Sequence, residues 1–340
     1  MRLGVLDIGS NSAQLQIVDA SPGAPPLPAL AVKEPTRLAE LIEDDGSLSE
    51  EGVHRAVEAI DGTLAAARRH SVEQLFLFAT SAIRDAANRD EILDRIQQRT
   101  GVRPQYLTGE DEARLTYVAA HRWYGWSAGR ILLFDIGGGS LEIALGRDAE
   151  PDLTLSLPLG AGRLTRQFLR DDPPSRRQVK DVQRHVRDML REVADRLRWE
   201  GAPARAVGTS KTFKQLARLA GAPAQRKGPF VRRTLRREAL DKWIPELADM
   251  RAAERARLRG VSASRAKQIL AGAIVAKAMM SALDIKEVDI CPWALREGIM
   301  LHHLASLQVH EEMLPLQTIN AVTPSPDAAL LRPVPDRLNA

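Results

Sequence analysis

Two stretches of this 340-residue chain share one pattern. "VLDIGSNS" spans Val5–Ser12 and "LFDIGGGS" spans Leu133–Ser140. Each is an apolar run ending in Asp-Ile-Gly, then a turn rich in Gly, Ser or Asn, then a second apolar run, "AQLQIVDA" or "LEIALG". Strand, turn, strand is the reading of each. Asp7 and Asp135 lie 128 residues apart, a spacing that suits two domains of similar fold facing each other across a cleft. Length agrees, because the chain is too long for one ordinary core. The boundaries drawn are 1–125 for the first α/β domain, 126–312 for the second, and 313–340 for a Pro-rich tail expected to be mobile or loosely docked.

Around the repeats, strands and helices alternate. A Pro-rich connector, "SPGAPPLPA", comes after the first hairpin. "SLSEEGVHRAVEAIDGTLAAARRH" opens on a Ser cap and carries apolar residues at helical spacing. "QLFLFATSAIRDAANRDEILDRIQQRTG" reads as a buried strand, a polar turn and a helix ending at Gly101; "RPQYLTGEDEARLTYVAAHRWY" reads as an edge strand, a turn and a helix. After the second hairpin come strand "LTLSLPLG", a helix from about Thr165, and a long polar helix. Next is the strand–turn–helix "ARAVGTSKTFKQLARLAG". A last block holds an apolar helix, strand "EVDIC" and helix "ALREGIMLHHLASL".

Apolar residues make up 44% and charged residues 27%, the composition of a soluble globular protein. The single cysteine, Cys291, excludes an internal disulfide, fits a reducing cytosol and reads as a small buried hydrophobe. The most apolar stretch, "ILAGAIVAKAMMSAL", is interrupted by Lys277 and falls short of the ~18 residues that span a bilayer. A cytoplasmic protein with no membrane partner is expected. Net charge is +4 with pI near 9.4, and arginines crowd two segments. In "PSRRQVKDVQRHVRDMLREVADRLR" interleaved acids suggest a solvated helix face. "QRKGPFVRRTLRREAL" carries a single acid and is equally a solvated surface or a binding face for a polyanion. Nucleic acid is not the expected partner.

Chemistry concentrates in the turns. Gly137, Gly138 and Gly139 let backbone amides approach an anion without Cβ obstruction, and Ser140 adds a hydroxyl. Ser10, Asn11 and Ser12 offer a similar turn in the first repeat. Such N–H nests suit phosphate oxygens. An acid beside a phosphate nest is repelled unless a cation intervenes. Asp135, at the strand end, therefore points to Mg²⁺, or Mn²⁺ in its place, held by one or two carboxylates with water and phosphate oxygens. The plainer reading is a tight hairpin with exposed acids, and the duplicate at Asp7 weighs against it.

"DIGSNS", "ATSAIRDAANR", "GEDEARL", "DIGGGSLE", "LPLGAGRLT", "GTSKT" and "CPWALREG" occur in this order. Together they resemble the exopolyphosphatase and guanosine-pentaphosphate phosphohydrolase (Ppx/GppA) family, over roughly Arg2 to Leu307. The resemblance implies two ribonuclease-H-like domains of the actin-like, sugar-kinase-like and Hsp70-like superfamily flanking the cleft, and a homodimer. It implies that Glu112 is the general base, with Asp111 standing where the family has Glu. From the residues alone "GEDEAR" is equally an acidic helix start. Arg84 is implied to bind the transferred phosphate, for which a planar guanidinium fork is suited; its plainer role is a surface partner of Asp85. The resemblance implies phosphate binding by Ser10, Asn11 and Ser12, by Gly137, Gly138, Gly139 and Ser140, and by Gly208, Thr209, Ser210 and Lys211. Glu142 is implied to be the second essential acid, assisting the metal with Asp135 or orienting water. Lys211 replaces a common glycine and Lys267 a common acid, both departures toward positive charge.

The implied activity is an exopolyphosphatase, hydrolysing the terminal phosphoanhydride of inorganic polyphosphate with Mg²⁺. The nearest rival is conversion of guanosine pentaphosphate to the tetraphosphate by the same groups. An ATP-dependent kinase would need an acceptor motif that the sequence does not offer. A non-enzymatic polyphosphate or nucleotide sensor would not need Glu112 alongside Asp135 and Glu142. Longer family members carry extra C-terminal helical domains. Here grip on a polymer would rest on Lys211, Lys214 and the Arg-rich segment from Gln225. Screened contacts of this kind favour short chains and release between cleavages. His302 and His303 have no spaced partner for zinc and read as structural or surface residues.

Overall fold

The structure, a computed structural model, describes residues 1–21, 24–306 and 319–320. The chain divides into two compact units, Met1–Asp111 with Arg296–Ala340, and Glu112–Leu295.

In the first unit β1 (Arg2–Ile8) and β2 (Ser12–Asp19) form the expected antiparallel hairpin, with Asp7 opposite Gln14. β3 (Leu30–Pro35) extends it on the β2 side. α1 (Glu50–Arg69) starts at Ser49, whose Oγ accepts the Gly52 N–H and so satisfies one amide of the first turn. β4 (Gln74–Ala79) returns parallel to β1. It is buried from Leu75 to Ala79, which is why it reads as an unbroken apolar run rather than an alternating one. The short α2 (Ser81–Arg84) replaces the expected polar turn, and α3 (Arg89–Thr100) closes at Gly101 in the left-handed conformation, φ 76°. β5 (Gln105–Tyr106) pairs parallel with β4. Leu6, Ile8, Leu15 and Ile17 of the sheet pack with Val53, Ile60 and Leu64 of α1 and Ile92 and Ile96 of α3.

α4 (Gly109–Tyr124) leads into the second unit. There β6 (Ile131–Ile136) and β7 (Leu141–Gly146) form the second hairpin, and β8 (Leu153–Leu157) extends it. After α5 (Ala161–Phe168) and α6 (Arg176–Trp199), β9 (Arg205–Gly208) lies parallel to β6. α7 (Ser210–Leu219), β10 (Thr234–Arg236), α8 (Arg237–Asp249), α9 (Ala252–Arg255) and α10 (Ile269–Ala282) precede β11 (Glu287–Ile290), which is parallel to β9. Both sheets share one plan: three antiparallel strands, then parallel ones. The orders are β3-β2-β1-β4, with β5 on β4, and β8-β7-β6-β9-β11, with β10 at the edge. Two ribonuclease-H-like α/β domains are therefore present, as the motifs implied.

The units do not match the boundaries expected at 125/126 and 312. α4 is tied to the second unit: Tyr117 OH donates to the Asp148 carbonyl (3.0 Å), His121 Nε2 to the Arg147 carbonyl (3.2 Å), and Arg114 pairs with Glu150. α11 (Leu295–Ser306) belongs with the first sheet from Arg296 onward. Gln16 Nε2 donates to Glu297 Oε1 at 2.9 Å with both residues buried, and His303 Nε2 donates to Gln74 Oε1 at 3.0 Å. Local periodicity shows that a helix has an apolar face without naming the sheet it meets. Of the expected tail, 313–340, only Ile319–Asn320 falls among the described residues; as β12 it pairs antiparallel with β4.

The two Arg-rich segments resolve differently. On α6, Arg177, Arg184, Arg191 and Arg198 pair with acids one turn away on the same helix, a solvated face as expected. In the second segment Arg233 is buried, donating to the carbonyls of Pro223, Ala224, Gly228 and Val231. Arg232 and Arg236 pair with Asp289 and Glu287, and Arg237 with Asp284. Much of that segment holds the fold together.

Candidate active site

In the second unit, the turn between β6 and β7 is held from one side. Gly160 N–H donates to the Gly139 carbonyl (3.3 Å), Ala161 N–H to Gly137 (3.0 Å) and Arg163 N–H to Gly138 (2.9 Å). The Arg163 guanidinium Nε also donates to Gly139 O at 2.8 Å. All three carbonyls therefore face the start of α5. In a planar trans peptide the next N–H points the opposite way, which directs the amides of Gly138, Gly139 and Ser140 away from α5. Among the described residues those amides donate to no backbone carbonyl. Amides turned outward in this way have the geometry that an anion nest requires. α5 consequently starts at Ala161, not near Thr165, because its first turn is built against this loop.

The first unit repeats the arrangement. Ala39 N–H donates to Ser10 O (3.1 Å), Thr36 and Arg37 N–H to Asn11 O (3.2 and 3.3 Å), and Thr36 Oγ1 to Gly9 O (3.2 Å). The amides of Ser10, Asn11 and Ser12 are turned the other way by the same peptide geometry. Arg84 lies at the end of α2, after Thr80, whose N–H and Oγ1 both donate to Ile8 O beside this turn. Its guanidinium pairs with Asp85 at 2.9 Å and donates to the Leu107 carbonyl at 3.2 Å. The plainer partner is thus present, and it orients the fork.

Carboxylates cluster on the second hairpin. Asp135 and Glu142 are directly opposite in the β6–β7 register, so their side chains share one face of the sheet. Glu142 is buried and accepts from Ser156 Oγ at 3.2 Å, across the β7–β8 pair. The third predicted turn lies alongside: Thr209 N–H donates to Phe134 O (2.9 Å) and Thr212 Oγ1 to Ile136 O (2.8 Å). Ser210 there is a non-glycine residue at φ 66°, with Oγ buried and accepting or donating no hydrogen bond among the described residues. Strained backbone of this kind concentrates at functional sites. Lys211 is exposed on the first turn of α7, while Lys214 donates to the Pro292 carbonyl and Gln268 lies against Gly162. Glu112 is buried, 7% exposed, early in α4. Cys291 is buried, as expected.

Two opposed carboxylates beside an amide nest suit a hard divalent cation that keeps water and phosphate oxygens as its other ligands. Among the described residues no group of three or more His, Cys, Asp or Glu could enclose a metal.

Residues 17–307 match the Ppx/GppA phosphatase family. The chain belongs to that family.

An "Exopolyphosphatase 1" of Mycobacterium tuberculosis is 51% identical over 306 residues, covering 90% of this chain and 89% of the relative. A crystal structure of the Aquifex aeolicus Ppx/GppA family member is 27% identical with TM-score 0.74, over 91% of this chain and 99% of that one. An exopolyphosphatase structure from Cytophaga hutchinsonii shares the fold, with TM-score 0.81 at 22% identity, over 90% and 98% of the two chains. For this Ppx/GppA protein, the turns, Asp135 and Glu142 were legible from the motifs. Ser156, Thr36 and Arg163 were not. Their partners are loop carbonyls and a neighbouring strand's carboxylate, contacts that no local pattern in the sequence marks.

Proposed function

We propose that this protein is an exopolyphosphatase that releases the terminal phosphate of inorganic polyphosphate. The carrying observation is the β6–β7 hairpin, which sets Asp135 opposite Glu142 beside amides turned outward by α5. The name of the 51% identical relative supports polyphosphate over guanosine pentaphosphate. Water attacks the terminal phosphorus in line; a P–O bond forms to it and the phosphoanhydride P–O bond breaks. Glu112 accepts the water proton, and the shortened chain leaves as its terminal phosphate anion. The amides of Gly138, Gly139 and Ser140, and those of Ser10, Asn11 and Ser12, hold phosphate oxygens, with Gly208, Thr209, Ser210 and Lys211 contributing beside the second turn. Arg84 supplies a guanidinium fork to the transferred phosphoryl. Asp135 and Glu142 would hold Mg²⁺, which when bound neutralises phosphoryl charge. Positioning and charge stabilisation supply most of the catalysis.

Short polyphosphate is the proposed preference, supported by the ion pairs and carbonyl contacts that occupy Arg232, Arg233, Arg236 and Arg237. Cytoplasmic location and a homodimer complete the reading, the first supported by a single cysteine, Cys291, which is buried and in no disulfide, and the second by resemblance alone. Among the described residues no helix is long and apolar enough to cross a membrane. The test is phosphate release from tripolyphosphate, long polyphosphate, guanosine pentaphosphate and ATP, with and without Mg²⁺. Release from guanosine pentaphosphate but not from polyphosphate would overturn the substrate; no release from any would leave a binding protein.

A further inference from the structure

Each phosphate turn is braced on its carbonyl side, and two of the backbone bonds correspond between the units. Ala39 N–H on Ser10 O matches Arg163 N–H on Gly138 O, and Thr36 N–H on Asn11 O matches Gly160 N–H on Gly139 O. In each unit the bracing segment comes directly after the third strand, β3 or β8. The next residue in each segment differs, for Arg37 N–H joins Thr36 N–H on Asn11 O whereas Ala161 N–H holds Gly137 O. The side-chain donor differs: a threonine hydroxyl on Gly9 O in the first, a guanidinium Nε on Gly139 O in the second. Thr36 is wholly buried, so its hydroxyl is spent on this one carbonyl. Gly9 O corresponds to Gly137 O, which Ala161 N–H holds in the second unit, so two unlike side chains each contribute to a cover of all three carbonyls, on different members of the loop.

The brace matters because a glycine-rich turn has no stiffness of its own. Glycine visits positive and negative φ with similar ease, so the direction of a Gly-Gly peptide plane is set by what holds its carbonyl. Rotating one plane swings its N–H off the ligand. Donors stabilise a reacting anion most when they are already aimed and need no reorganisation.

We propose that Thr36 and Arg163 are positioning residues that aim the amides of the two phosphate turns through the opposite, carbonyl side. This rests on the polyphosphate reading above. Neither residue touches substrate; each acts through a peptide plane. Arg163→Met keeps an aliphatic stem and removes the donor; Thr36→Val keeps shape and removes the hydroxyl. Each should lower kcat/KM for tripolyphosphate about tenfold or more at a temperature well below Tm. Thr36→Ser should restore it to within about twofold, and Arg163→Lys in part, because each returns a donor. A merely structural role lowers Tm and leaves kcat/KM of the folded enzyme unchanged, so values within twofold of wild type for Thr36→Val and Arg163→Met would overturn the proposal. If Arg163→Met does not fold, Arg163→Lys and Thr36→Val carry the test. A second readout separates this idea from the substrate assignment: the amide NMR signals of Gly138, Gly139 and Ser140 titrated with tripolyphosphate. Weaker apparent affinity and smaller shifts in the Arg163 variant support the brace even if wild type releases no phosphate; identical titrations sink it.

Discussion

Asp135 and Glu142 face each other across the β6–β7 ladder, while the matching position in the first hairpin pairs Asp7 with Gln14. The two units are thus alike in fold and unlike in charge. Like charges directly opposite on a sheet destabilise it by ~0.2–1 kcal/mol unless a cation or donor intervenes. Mg²⁺ should therefore raise the Tm of the wild-type protein and leave that of Asp135→Asn unchanged. An unaltered Mg²⁺ response in differential scanning fluorimetry would remove Asp135 from the metal site.

Glu112 is buried, so its substitution tests chemistry with little change in surface. Glu112→Gln is isosteric and cannot accept a proton. Turnover should fall ~10²–10⁴-fold with polyphosphate binding retained. Turnover within threefold of wild type would exclude Glu112 as the base.

Arg84 is oriented by Asp85 and the Leu107 carbonyl. Arg84→Lys keeps the charge and loses the planar fork. The expected result is a kcat/KM lower by about tenfold or more. An equal kcat/KM would mean that Arg84 serves only its ion pair.

Gly160 has no room for a side chain: a Cβ would sit 2.2 Å from the Gly139 carbonyl carbon and 2.3 Å from Ser140 N. These are backbone atoms and cannot step aside. Gly160→Ala should cost about 1–3 kcal/mol and distort the nest, lowering activity more than Tm. Chemical denaturation and steady-state kinetics on one preparation would show whether both fall.

Burial holds the pKa of His303 below its ordinary 6.5, with His302 nearby acting in the same direction, and burial does the same to His121. As pH falls, the unfolded chain takes up these protons first. Stability is therefore complete above about pH 6.5 and is lost below it, by up to ~1.4 kcal/mol per pH unit for each imidazole. Tm should drop between pH 6.5 and 5.5, and a His303→Gln variant, which keeps a donor toward Gln74, should show a shallower drop. An identical slope would assign the loss elsewhere.

The hairpins, the Ser49 cap, the Gly101 stop and the acidic and glycine positions of the turns could all be read from the chain itself. Each depends on neighbours within a few residues: strand alternation, a cap oxygen three residues from its amide, a φ only glycine adopts easily. β3, β10, α8 and α9 escape a reading of the sequence, because they are short, exposed or charged enough to blur their periodicity. The restart of the repeat likewise places the domain boundary at 126, past the helix that already belongs to the second unit.

What only the tertiary structure decided has a common physical cause, the partner of a polar group far along the chain. Whether α4 and α11 join one sheet or the other is settled by bonds such as Tyr117 to Asp148 and Glu297 to Gln16, the latter 281 residues apart. Whether an arginine meets solvent, as Arg177 does, or is buried under four carbonyls, as Arg233 is, depends on a loop that closes around it. The glycine turns obey the same rule. Their flexibility is written in the sequence, but the direction of their amides comes from the segments after β3 and β8, Thr36 and Arg163 included, because a glycine peptide takes its orientation from whatever holds its oxygen.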